Sequence, residues 1–191
     1  MRGGNWRQHH HCPPPANRVD NIHQKLERKP RMMSPNVQSA SHFQKKGFVS
    51  VADGDALRRI KDIAETFGLP MSGHGSIRHG INWLGAAVCP NKPEIVIWWP
   101  TEGNKTGGWV NEFMNENQLI LESNEDHEKS RLHVEARIEE HKDRAVFSKE
   151  HSNGMWYYRF IGLFKLNVAE SRRISKAAWE RIPNVDRFEV R

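Results

Sequence analysis

Cleaving a phosphodiester with a divalent metal takes carboxylates that converge on the ion, and a lysine or histidine nearby to move a proton and steady the leaving oxygen. Glu135, Glu139, Glu140, Asp143 and Lys149 supply those residue types in one stretch of chain. Their spacing matches no metal-nuclease signature, and a charged helix face is the ordinary use of such a run. A metal-free route would draw on His74 and His79 in the segment SGHGSIRHG, with Arg78 as a phosphate clamp. A nuclease built on this chain would therefore use Glu135, Glu139 or His79. Ser72 and Ser76 sit in no nucleophile elbow, and the glycines of the same segment lack the GKS or GKT ending of a phosphate-binding loop. The run His9-His10-His11-Cys12 offers zinc-type ligands, but adjacent ligands rarely close a tetrahedral site and no second pair lies at zinc-ribbon distance. No metal or other cofactor is expected.

Aromatic and basic residues offer a different chemistry. An unpaired base needs flat π surfaces for stacking, each worth about 1–3 kcal/mol, and its phosphates need cations. Trp98, Trp99, Trp109, Trp156, Tyr157 and Tyr158 supply the first. Arg159, Lys165, Arg172 and Arg173 supply the second. The nucleic-acid-binding set is read as Trp98, Trp99, Trp109, Tyr158, Arg159, Lys165, Arg172 and Arg173. The other reading is that the rings build the core and the cations are a solvated surface. Alternation sends Trp98 and Trp99 to opposite sides of a strand, so at most one is obligatory core.

These residues need elements to hold them. Ala145 to Lys149 is β-prone, Ser152-Asn153-Gly154 tolerates the positive φ of a tight turn, and Trp156 to Leu166 is a long second strand. Gly162 inside it marks a bulge or bend. Period two places Trp156, Tyr158, Phe160 and Gly162 on one face, with Tyr157, Arg159, Ile161 and Leu163 on the other. Asp53 or Asp55 caps a helix that runs to about Phe67, ended by Gly68 and Pro70. Glu94 to Trp99 and Gln118 to Glu122 read as strands, Trp109 to Met114 as strand or helical turn, and Ile77 to Leu84 as a short helix or strand. Glu128 to His141 reads as a helix, Glu170 to Ile182 as an amphipathic helix ended by Pro183, and Val185 to Val190 as an edge strand.

The first 46 residues differ from the rest. They hold nine Lys/Arg against Asp20 and Glu27, a net of +7, whereas the whole chain carries +6, so residues 47–191 sum to about −1. That segment also holds half the prolines and few aliphatic clusters, too little apolar surface to offset chain entropy. Residues 1–46 are expected to form a disordered basic arm, and residues 47–191 a single α+β domain. Cys12 and Cys89 make no disulfide framework, no apolar stretch reaches membrane-spanning length, and the N-terminus has no hydrophobic signal region. An intracellular, cytoplasmic location is expected, with no membrane partner.

The run VFSK, then YYRFIGLFKLN, then SRR with AWERI resembles a segment near the C-terminus of bacterial restriction-type proteins. There a nuclease or helicase is joined to a small β-rich module. The resemblance covers about residues 108–182. Such modules are similar to the PUA-like group, which includes the ASCH, EVE and SRA domains. That implies a bent, mainly antiparallel sheet or small β-barrel with flanking helices, binding RNA or reading a modified or flipped DNA base, with a nuclease or helicase as partner. The alternatives are a small metal-dependent nuclease of a defence system and a protein-interaction domain that uses exposed tryptophans.

Overall fold

Asn153 and Gly154 both take positive φ, 51° and 74°, the geometry of a two-residue hairpin turn whose twist matches that of its strands. In the computed structural model, which describes residues 34–70, 85–104 and 107–191, this turn joins the two longest strands, Asp143–Ser152 and Met155–Leu166. In chain order the strands are β1 Asn36–Gln38, β2 Phe48–Ser50, β3 Asp55–Leu57, β4 Ala86–Cys89, β5 Lys92–Trp98, β6 Gly103–Asn104, β7 Trp109–Met114, β8 Leu119–Asn124, β9 and β10 (the hairpin), β11 Ala177–Arg181 and β12 Arg187–Glu189. The helices are α1 Ala40–Lys46, α2 Ile60–Phe67, α3 His127–Glu140 and α4 Val168–Ile174.

The main sheet runs β4-β5-β9-β10-β11-β8-β7-β6, with β3 added to β10 and β1 to β3. Only the β1–β3 and β5–β9 pairs are parallel. β2 and β12 form a separate antiparallel pair. The expected bent sheet is present, and among the described residues the strand order is open between β4 and β6. No helix among those residues is long and apolar enough to cross a membrane.

The bend has a local cause. Gly162 takes φ 127°, and the β9–β10 register shifts between Phe160 and Gly162. The backbone angle favours glycine, and a Cβ there would stand 2.7 Å from Arg181 Nε, so a side chain at Gly162 would also have to displace that arginine. The extra residue changes the phase of alternation expected from the sequence. Tyr158, Phe160 and Leu163 contact one core, with Phe43, Ile63, Phe67, Phe147 and Phe188, while Ile161 and Phe164 face the other, with Trp98, Ile120, Val134, Val146 and Trp179. α1 and α2 lie on the first side and α3 covers the second.

Several expectations need correction. The arm was expected to reach residue 46, yet β1 and α1 belong to the folded unit. Phe43 is fully buried, and Lys46 bonds Asp53 at 2.8 Å and Asp55 at 2.6 Å. The short apolar content of 34–46 is repaid by this one ring and by strand pairing, which composition does not reveal. Residues 1–33 lie outside the described residues, as does the Ile77 to Leu84 element. Asp55 caps no helix: it is buried, accepts from the Ser50 amide and Asn36 Nδ2, and sits in β3, so α2 begins only at Ile60. The expected Glu170 to Ile182 helix ends at Ile174, with Ser175 in the left-handed region. Ala177–Arg181 is instead a strand between β10 and β8, where Ala177, Ala178 and Trp179 are buried, so tertiary pairing overrides the helical composition. The ambiguous Trp109 to Met114 is strand β7.

Candidate nucleic-acid interface

β3 pairs antiparallel with the start of β10, setting Leu57 opposite Tyr158. The chain leaves β3 at that point and enters α2, so Arg58, Arg59 and Lys61 stand beside the tip of the β9–β10 hairpin. An open groove of about 490 Å³ lies between them, lined by Arg58, Arg59, Ile60, Lys61, Lys149, Trp156 and Tyr158. Four cations and two aromatic rings face it, with no acid.

The register that follows from the turn places Trp156 opposite His151 and Tyr158 opposite Lys149. The Trp156 and His151 rings are 4.8 Å apart, and Lys149 Nζ lies 4.8 Å from the Trp156 centroid, a cation–π contact. Arg58 Nη1 donates to the Trp156 carbonyl, which ties the β3–α2 turn to the hairpin. Trp156 is nonetheless 53% exposed. Burial raises the Tyr158 hydroxyl above its ordinary pKa, so it stays a neutral donor and acceptor at physiological pH. Arg59, the N-cap of α2, pairs with the buried Asp62 carboxylate at 3.1 Å, and Lys61 with Glu65 at 3.4 Å on the exposed helix face, which holds that lysine weakly. Among the described residues Arg58 and Lys149 have no acidic partner.

Of the residues expected from sequence to bind nucleic acid, only Tyr158 lines this groove. Trp98 is fully buried and Trp99 is 4% exposed. The backbone amide of Trp99 donates to the Gly85 carbonyl, and a Cβ on Gly85 would stand 2.9 Å from the Trp99 carbonyl oxygen, so this corner is closed by backbone packing. Trp109 is half-buried, edge-on to His133 at 4.6 Å. Arg159 is held by Glu150 at 2.9 Å on the opposite face of the hairpin, and Lys165 is exposed further along β10. Arg172 pairs with Glu135 at 2.8 Å and Arg173 with Glu170 at 2.6 Å.

Of the nuclease set, Glu135 and Glu139 fall among the described residues. The Arg172 hydrogen bond holds the Glu135 carboxyl below its usual range, Glu139 is exposed on α3, and His79 lies outside the described residues. Among the described residues no three His, Cys, Asp or Glu side chains cluster to hold a metal.

A second charged cluster is structural. Arg144 is buried, its guanidinium 4.4 Å from the Trp98 ring and 3.9 Å from the Trp179 ring, with Glu122 at 3.4 Å and His133 3.0 Å from the same carboxylate oxygen. Burial alone would raise the Glu122 carboxyl, but the Arg144 charge and the His133 contact outweigh it and hold the group well below the usual carboxylate range. The cluster joins α3 to β8 and β9 beneath the second core.

Sequence reasoning missed Arg58, Arg59 and Lys61, and it used Lys149 only as a nuclease lysine. The hairpin half of the groove was legible: a two-residue turn fixes the register, and alternation puts Trp156 with Tyr158 on one face. The β3–α2 half carried no local signal.

Comparison with known proteins extends beyond the segment marked by the aromatic motifs. A family model described as the SET and RING associated (SRA) domain matches residues 42–188. Among solved structures, "The 5-Hydroxymethylcytosine-Specific Restriction Enzyme AbaSI" superposes with a TM-score of 0.59 at 21% sequence identity, covering 79% of this chain and 45% of that one. The likeness is one of fold, and the chain spans less than half the length of that protein. No curated protein matches.

Proposed function

This chain belongs to the SRA domain family, a PUA-like nucleic-acid-binding module, and from that premise we propose that it reads a modified or flipped base while the groove beside the hairpin tip grips phosphates. The observation that carries the phosphate assignment is the distribution of charge. Arg172, Arg173 and Arg159 pair with acids outside the groove, whereas Arg58 and Lys149 have no acidic partner among the described residues and, with Arg59 and Lys61 (paired with Asp62 and Glu65), line one groove that no acid enters. Phosphate contacts supply affinity and fix register, and base contacts supply sequence or modification specificity. The module works beside a nuclease or helicase in a restriction or defence system, in a reducing cytoplasmic setting. The restriction enzyme that shares its fold supports that context.

The test is fluorescence-anisotropy binding of the full chain to duplexes that differ at one cytosine: unmodified, 5-methyl or 5-hydroxymethyl. A preference for one modified duplex that persists across salt concentrations supports base reading. Equal, salt-sensitive binding to all three reduces the function to phosphate attraction. Cut oligonucleotide only with magnesium would instead favour the nuclease alternative.

A further inference from the structure

Trp156 stands apart from most of the tryptophans in the described fold. Trp98, Trp99 and Trp179 are 0–4% exposed, whereas Trp156 keeps 53% of its surface in solvent. It is positioned nonetheless: the Asn153-Gly154 turn sets its strand, His151 and Lys149 contact its ring, and Arg58 holds its carbonyl. The result is a π surface presented at the rim of a cationic groove.

We propose that this groove takes a single-stranded nucleic-acid segment, with one nucleobase stacked on Trp156 and the adjoining phosphates met by Arg58, Lys61 and Lys149. The proposal deepens the reading of the groove as a phosphate-binding site and rests on it. A duplex hides its base faces and offers only edges in its grooves, so a half-exposed indole finds its complement in an unpaired base. The groove's cations come from both walls, Arg58 and Lys61 from the β3–α2 turn and Lys149, over the Trp156 ring, from β9, so phosphates on either side of a stacked base have a partner within the groove. Stacking on an aromatic ring tolerates any base, so the site is expected to be indifferent to sequence.

The experiment measures binding of the full chain, Trp156→Ala and Trp156→Phe to labelled single-stranded DNA, single-stranded RNA and blunt duplex DNA of equal length. Trp156 is exposed, so both variants are expected to keep the parent melting temperature, which is checked first. Trp156→Ala is expected to weaken single-strand binding by about 5- to 150-fold, Trp156→Phe to restore most of it, and duplex binding to change by less than about twofold. The two single strands decide between DNA and RNA as the source of the unpaired base. Equal loss on duplex and single strands, or no loss on either, overturns the proposal. If Trp156→Ala changes nothing while Arg58→Gln with Lys149→Gln weakens duplex binding, the platform is refuted and the phosphate groove stands. If neither change has an effect, both readings fall.

Discussion

Exchanging Arg58 and Lys149 for glutamine removes the two groove cations that have no acidic partner among the described residues. Each phosphate neutralised on duplex DNA adds about 0.9 to the slope of log affinity against log salt, so four engaged groove cations account for about 3.6. Between about 50 and about 200 mM salt that slope is a loss of about 150-fold, and the double variant, keeping two cations, is expected to lose only about 12-fold from this source. The segment before residue 34 carries seven further Lys/Arg that add to the slope in both proteins, so the difference between slopes, about 1.8, is the quantity to read. Anisotropy titrations at three salt concentrations measure it. Arg172→Gln with Arg173→Gln is the control, since those guanidiniums lie outside the groove, paired with Glu135 and Glu170. An unchanged slope in the groove variant, or an equal fall in the control, refutes the assignment of phosphates to this groove.

Gly162→Ala is expected to destabilise by about 1–3 kcal/mol, since an alanine must take φ 127° and meet Arg181; chemical denaturation checks it. Glu122→Gln leaves Arg144 buried without its counter-charge, expected to cost about 3–5 kcal/mol. The Glu122 carboxyl lies lower in the fold than its ordinary value of 4.5, so its stabilisation is full above that pH and is lost as pH falls below it. Melting temperature against pH in the parent should therefore drop on the acid side more steeply than in Glu122→Gln. Phe43→Ala is expected to cost about 3–5 kcal/mol, and a chain beginning at Gly47, which also lacks β1, to melt without a cooperative transition by circular dichroism.

What was legible in the sequence follows the range of the forces involved. The β9–β10 hairpin, its turn and the bulge at Gly162 depend on residues within a few positions of one another, and all three could be read directly. Ala177-Ala178-Trp179 could not, because their strand exists only through pairing with β10 and β8, while their composition favours helix. The tryptophan pair was legible as a strand end but not as buried, since Trp98 is covered by Arg144 and Trp179 from distant strands. The site divides in the same way. Lys149, Trp156 and Tyr158 share one face by register and alternation. Arg58 lies 98 positions before the Trp156 carbonyl it reaches, and only the β3–β10 pairing brings them together. Arg172 and Arg173 read as phosphate ligands in a linear sequence because their partners, one of them on another helix, are not visible there.

Amide hydrogen exchange of the full chain, with and without a saturating oligonucleotide, locates the interface most directly. Slowed exchange is expected in peptides covering 57–61 and 149–158, the two walls of the groove. Slowing confined to α3 and α4, or to the residues before 34, would contradict it.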